Sequence, residues 1–240
     1  MLVNIDVKSL EIVVAAYLSQ DPVLMTELNK GIDLHEDNRK KFNLPSRLIA
    51  KVLGFRILYG GTEHSFVRDP DFTPISTNKK YWATAIEAYY NKYKGIKAWH
   101  NHLIQEATST GKILSPTGRT FYYEPFDKGW GVEWPVTNIK NYIVQGTGAD
   151  LVMIARVSLY NRMKKLGLKS KLTMTVHDSI VIDCPDDEWE RVASLALQSV
   201  RDVPMNFERL FGKPFNLGLN AEILYGKDLS NMVEIKLDKV

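Results

Sequence analysis

The opening LVNIDV alternates apolar and polar positions as a half-buried strand does, and from Ser9 the spacing through SLEIVVAAYLS becomes helical. A strand is therefore expected to carry Asp6 to its end, with Ser9 capping the helix that follows. Short helical stretches at 22–30 and 33–43 lead into RLIAKVLGFRILYGG, residues 47–61, which Pro45 and Ser46 start and Gly60 and Gly61 stop. Residues 60–76 read as loop beyond that stop, and 77–109 as one or two amphipathic helices with a break at Gly95. ILSPTGRTFYY predicts a hairpin turning at Pro116 to Gly118, before a long helix from Thr137 to Lys165 that Gly167 closes. KLTMTVHDSIVIDC predicts two short strands meeting at His177 and Asp178, then a helix over 186–202 and a last strand in NLGLNAEILYG. Strands occupy both ends of the chain and helices the middle, which implies an α+β fold: one sheet built from both ends, with a mainly helical insertion. No fixed-period repeat is present, which excludes a solenoid.

The helix at 47–61 carries an unusual stripe. Arg47, Lys51, Phe55 and Tyr59 recur every four residues along one side, while Ile49, Val52, Leu53 and Ile57 cover most of the other. Two cations about 6 Å apart along the axis suit a polyanion such as a triphosphate, and an aromatic further along can stack on a flat ring. A surface stripe of snorkelling cations over packed aromatics accounts for the same spacing.

Composition narrows the classes. With 240 residues, 45% of them hydrophobic and 25% charged, the chain is long enough for one or two domains with real cores. A net charge of +3 permits a nucleic-acid partner without requiring one. The single cysteine, Cys184, excludes an intramolecular disulfide and a thiolate metal cluster, and there is no H-E-x-x-H pattern for zinc. The start, MLVNIDVKSLE, lacks the features of a signal peptide, and no apolar run nears a membrane span of roughly 18 residues, so a cytoplasmic chain with no membrane partner is expected.

Asp6 and Asp178, each at a strand end, can meet on a sheet assembled from both ends of the chain. Two such carboxylates can hold divalent ions with hard oxygen ligands, leaving the remaining positions to substrate phosphates. Taken singly, each is also an ordinary strand-end or turn acid.

Together these pieces resemble the polymerase domain of the DNA polymerase I family, also called family A. In DVKSLE, Asp6 matches the family's first metal-binding aspartate and Glu11 its sugar-gating glutamate. The stripe fits R-x-x-x-K-x-x-x-F-x-x-x-Y-G through Arg47, Lys51, Phe55, Tyr59 and Gly60, and VHDS supplies His177 with the second metal-binding aspartate, Asp178. DLH is similar to the family's D-x-H, making His35 a triphosphate contact. NYIVQGTGADLV is similar to its Q-G-T-x-A-D helix, putting Asn141 and Gln145 at the minor groove and template. TGRTFYY is similar to its G-R hairpin, placing Arg119 near DNA, and AEILYGKDL resembles its closing palm strand.

The resemblance implies a palm-type antiparallel sheet with a helical fingers insertion: palm at 1–20, fingers at 21–110 and palm again at 111–240. It implies DNA synthesis from dNTPs on primer-template DNA with two Mg²⁺ ions on Asp6, Asp178 and Val7, and Lys51 serving also as a proton donor. The family's thumb, preceding palm strands and exonuclease have no counterpart in the sequence. That leads us to expect a separate chain carrying the thumb and amino-terminal palm, or a truncation; a sheet begun midway also leaves an edge strand that favours a partner.

Several positions depart from the pattern. Lys8 stands where a serine is usual and Val13 where an arginine is, Ser179 replaces a glutamate as in phage-like members, and Thr137 replaces an arginine on the long helix. A noncatalytic DNA-binding or assembly subunit with a polymerase-like fold is the alternative, although a scaffold has no use for clustered acids. Another metal-dependent phosphoryl-transfer enzyme, such as a nuclease, leaves the stripe unexplained.

Overall fold

β1 (Leu2–Val7) is buried in alternation, with Val3, Ile5 and Val7 inside and Leu2, Asn4 and Asp6 partly exposed. The period-two pattern of the sequence is thus the pleat itself. The computed structural model describes residues 1–237. They divide into two units, one of residues 1–13 with Gly146 onward and the other of residues 14–145. α1 (Leu10–Ser19) and, later in the chain, α8 (Val136–Lys165) run across the division.

The second unit is almost wholly helical. α2 (Pro22–Asn29), α3 (Leu34–Lys41) and α4 (Arg47–Leu58) each start at a side-chain cap, from Asp21, Asp33 and Ser46 respectively. α5 (Glu63–Phe66) forms within the stretch expected to be loop. Its cause is an aromatic cluster that short-range patterning does not register: Phe66, Phe72 and Trp82 are fully buried, with ring centroids 4.8 to 5.3 Å apart.

α6 (Lys79–Lys92) and α7 (Lys94–Thr110) break at Tyr93 rather than at Gly95. Gly95 has a different reason to be glycine. Its N–H donates to Asp21 Oδ2 at 2.7 Å, and a Cβ there would lie 2.7 Å from the Asp21 backbone. The hairpin of β2 (Lys112–Leu114) and β3 (Thr120–Tyr122) forms as expected, and a second one, β4 (Phe126–Asp127) with β5 (Val132–Glu133), follows it.

In the first unit the far end of α8 leads to β6 (Lys171–Val176) and β7 (Ser179–Asp183). α9 (Trp189–Arg201), α10 (Val203–Phe211), β8 (Ala221–Gly226) and β9 (Val233–Ile235) complete it. The sheet is antiparallel in the order β6-β7-β1-β8-β9. β1 is therefore central, paired on both sides, and the edges fall on β6 and β9. α10, an extra helix with Pro204 in its first turn, and β9 were not legible in the pattern. The mixed α+β class, with a main antiparallel sheet built from both ends of the chain, is as expected.

Two predictions concern the second unit's core. Phe72→Ala should cost about 3–5 kcal/mol, read as a lower denaturation midpoint, because it removes a fully buried ring packed edge-on against both Phe66 and Trp82, which already stack on each other and cannot fill the cavity. The other involves His100, which is buried with Nδ1 3.1 Å from the Tyr90 hydroxyl. Burial first, and the Lys140 charge second, push its pKa down from 6.5 to about 3. The unfolded chain then binds more protons than the folded one, so stability should fall as pH drops from about 6.5 toward 3, by up to about 1.4 kcal/mol per pH unit. In His100→Gln that slope should be shallower. Matched denaturation curves at pH 7 and 4.5 with equal slopes would remove His100 as the cause.

Candidate active site

The acid pair is built by the sheet of the first unit. Asp6 pairs in register with Ser179, and the Val7 N–H donates to the Asp178 carbonyl at 3.1 Å, so Asp178, in the turn that opens β7, sits one residue out of register from Asp6 on β1. His177 makes the turn tight by taking φ +53°, a left-handed conformation that histidine tolerates better than a β-branched residue. Ser179 Oγ donates to the Val176 carbonyl at 3.0 Å and closes the same turn, a role a glutamate could not fill. Asp178 is half-buried and His177 exposed.

On the other side of β1, Glu222 of β8 is registered directly opposite Asp6. Its carboxylate accepts from the Lys8 ammonium at 2.9 Å. The lysine that departs from the family pattern therefore has a local partner across the strand. Glu11 lies half-buried in the first turn of α1. Ser9, expected as its cap, has φ +53°, and its carbonyl accepts from Ile12 and Val13.

Among the described residues no group of three or more His, Cys, Asp or Glu side chains is placed to hold a metal ion. Two carboxylates do not form a closed cage. They fit a hard ion such as Mg²⁺, which keeps several positions for water and substrate oxygens. Val7, with an apolar side chain, can contribute only its backbone carbonyl.

The second unit carries the cationic face. Ala50, Leu53, Ile57 and Leu58 are the buried side of α4, whereas Arg47 and Lys51 are exposed and Phe55 and Tyr59 half-buried. The stripe thus lies on the outer side of the helix, as its spacing predicted, although Ile49 and Val52 are less buried than expected. Phe55 stacks toward Tyr59 at 6.4 Å and lies 6.1 Å from the His35 ring on α3. Arg47 Nε donates to Asp33 Oδ2 at 2.7 Å. His35 is half-buried, and its pKa is lowered chiefly by that burial and next by the Arg47 charge, with Lys51 adding to the effect. The imidazole is neutral at pH 7 and still has a donor for an anion.

Both ends of α4 are fastened. At the start, Ser46 Oγ accepts from the Ile49 N–H at 3.1 Å. At the end, Arg56 pairs with Asp69 and lies 5.3 Å over the Phe72 ring, which ties the helix to the aromatic cluster. Gly60 takes φ +88°, and a Cβ there would meet the Lys140 side chain at 3.2 Å. Lys140 is buried, and burial lowers its pKa. Neither Lys140 nor Asp33 was singled out from the sequence. The only signal for Asp33 was its place as first residue of D-x-H, and for Lys140 its position one residue before Asn141.

Asn141 and Gln145 share α8, four residues apart. Gln145 is exposed, and Asn141 Oδ1 is buried with no hydrogen-bond partner among the described residues. Arg119 is exposed beside the β2–β3 turn, where its backbone N–H donates to Ser115 Oγ at 3.0 Å.

Residues 1–227 match the model of DNA polymerase family A. The chain belongs to DNA polymerase family A. It is 28% identical to the thermostable DNA polymerase I of Thermus thermophilus over 238 residues, which is 95% of this chain and 27% of that protein. To the DNA polymerase I of Aquifex aeolicus (strain VF5) it is 25% identical, over 82% of this chain and 34% of that one. The solved POL domain of Pol1 from M. smegmatis, in complex with DNA primer-template and dNTP, superposes with a TM-score of 0.78. That match has 19% identity and covers 94% of this chain and 39% of the other, so it speaks to fold. This family A chain spans about a quarter to a third of the length of these curated relatives.

Proposed function

We propose that the chain synthesises DNA by nucleotidyl transfer from dNTPs to a primer 3′-hydroxyl on primer-template DNA, in the cytoplasm. The observation that carries this reading is α4: a family A chain presents Arg47, Lys51, Phe55 and Tyr59 on one outward helix face, with His35 beside it. Palm is assigned to residues 1–20 and 111–240 and fingers to 21–110, a functional division that cuts differently from the packing units.

Asp6, Asp178 and the Val7 carbonyl would hold two Mg²⁺ ions, which would supply activation of the attacking hydroxyl and charge stabilisation at the phosphoryl oxygens. Arg47, Lys51 and His35 grip the triphosphate, and Lys51 donates a proton to the departing pyrophosphate. Phe55 packs against the sugar and disfavours dideoxynucleotides. Glu11 excludes a 2′-hydroxyl by bulk. Tyr59 and Gly60 shape the pocket at the nascent base pair, so selectivity comes from fit. Gln145 and Asn141 read the minor groove and template, the buried Asn141 acceptor being suited to a donor from DNA. Arg119 and His177 contact the DNA strands.

The chain matches 27% of a curated relative and 39% of a solved polymerase chain. Phosphate contacts provide most of the affinity for duplex DNA, and those a thumb would make are needed for a tight grip. The test is extension of a labelled primer by the purified chain with Mg²⁺ and four dNTPs, alone and with a co-expressed amino-terminal polymerase fragment. Templated extension in either mixture supports the reading. Cutting of DNA without dNTP would replace it with a nuclease, and inactivity in both mixtures with DNA binding intact would leave the scaffold.

A further inference from the structure

Asp33 stands at the junction of the two elements that carry the anion-binding groups, and it uses both carboxylate oxygens there. Oδ1 accepts from the His35 N–H at 3.2 Å and the Glu36 N–H at 3.1 Å, capping α3, while Oδ2 accepts from Arg47 Nε at 2.7 Å at the start of α4. We propose that Asp33 is a positioning residue for the triphosphate seat, setting His35 and Arg47 in a fixed relation through one bidentate carboxylate. The inference rests on the nucleotide-binding reading of α4 and deepens it.

Three features make the arrangement more than a surface ion pair. First, the bond to Arg47 is made through Nε, which orients the guanidinium plane while the edge bearing the two Nη groups remains turned to other partners; that edge is the one that grips phosphate in a fork. Second, Arg47 is half-exposed, with a side-chain exposure of 54%, so an incoming anion can reach it without displacing Asp33. Third, Lys51 follows Arg47 by one turn, and His35 is tied to the same face by its ring contact with Phe55. An aspartate is also specifically suited to the position. Asparagine caps a helix as well as aspartate does, but it has one oxygen and can serve α3 or Arg47, not both at once.

A lone pair on the surface contributes little to stability, so the effect should appear in binding and not in folding. The probe is inorganic tripolyphosphate, titrated calorimetrically into the full chain and into Asp33→Asn, with steady-state single-nucleotide incorporation measured in parallel. Asp33→Asn should bind tripolyphosphate about tenfold more weakly and raise the KM for dNTP about tenfold, with kcat within about twofold and the melting temperature close to the parent's. Asp33→Glu, which keeps two oxygens on a longer arm, should recover part of the loss. Parent-like or tighter binding by Asp33→Asn would overturn the proposal, the tighter case meaning that Asp33 competes with the anion for Arg47. Failure of the parent chain itself to bind tripolyphosphate overturns the nucleotide-binding reading of α4, and the proposal with it, which separates the two failures.

Discussion

Asp178→Asn should lower single-turnover primer extension by on the order of 10³-fold in Mg²⁺ while leaving the fold intact. The substitution is isosteric and removes only charge. The backbone carbonyl of Asp178, which accepts the Val7 N–H and fixes the turn against β1, is untouched, and the side chain is half-buried at a turn, not in the core. On the proposed reading, what disappears is one of two hard anionic donors. A divalent ion held by two carboxylates loses much of its hold when one becomes a neutral amide, because the remaining sites belong to water and substrate. Asp6→Asn should have a similar effect, and the double variant should be scarcely worse than either single one, since the two acids act as a unit. The measurement is the extension rate at saturating dNTP, with circular dichroism and the melting temperature as the fold controls. Extension within a few-fold of the parent would remove Asp178 from the chemistry and return it to an ordinary turn acid.

Local signals were enough for the elements that carry these residues. β1 was legible because Val3, Ile5 and Val7 alternate with polar residues and no competing period exists. α4 was legible because its apolar and cationic positions have the helical spacing and because Ser46 and Gly60 mark its ends. The turn at His177 was legible from two β-rich runs meeting at a polar pair.

The features that were missed depend on residues distant in sequence. α5 is held by Phe66 packing on Trp82, 16 positions on, and no window of ten residues contains both. Asp33 gains its significance from Arg47, 14 residues later. Lys140 matters to Gly60 only because the fold brings α8 against the end of α4, and a buried lysine in a polar-looking stretch gives no periodic sign of itself. Lys92 is the same kind of case: its buried ammonium is met by Glu27 at 3.0 Å and Asp37 at 2.7 Å, acids on two other helices. Composition and periodicity report the neighbourhood along the chain, whereas buried charge pairs are decided across it.

Substituting the two cations of α4 should give separable losses. Arg47→Ala removes the proposed phosphate contact and also leaves the Asp33 carboxylate without its guanidinium, close to where the triphosphate would sit. That carboxylate, whose pKa the Arg47 hydrogen bond now lowers, stays ionised at neutral pH and adds repulsion to the lost attraction. The expected result is a rise in KM for dNTP of about 10- to 100-fold with a smaller change in kcat, because the contact serves ground state and transition state alike. Lys51→Ala should differ. If its ammonium both grips the phosphates and protonates the leaving pyrophosphate, the loss falls on kcat as well, and kcat/KM should drop by about 10²- to 10³-fold. Lys51 is exposed, so the same substitution should change stability by no more than about 0.5 kcal/mol. Lys51→Arg then discriminates between the two roles. Arginine keeps the charge but holds its proton too tightly to donate it, so dNTP binding should return while kcat stays low. A Lys51→Arg enzyme with parental kcat would restrict Lys51 to electrostatic grip, and a Lys51→Ala loss that tracked a fall in melting temperature would take it out of the site.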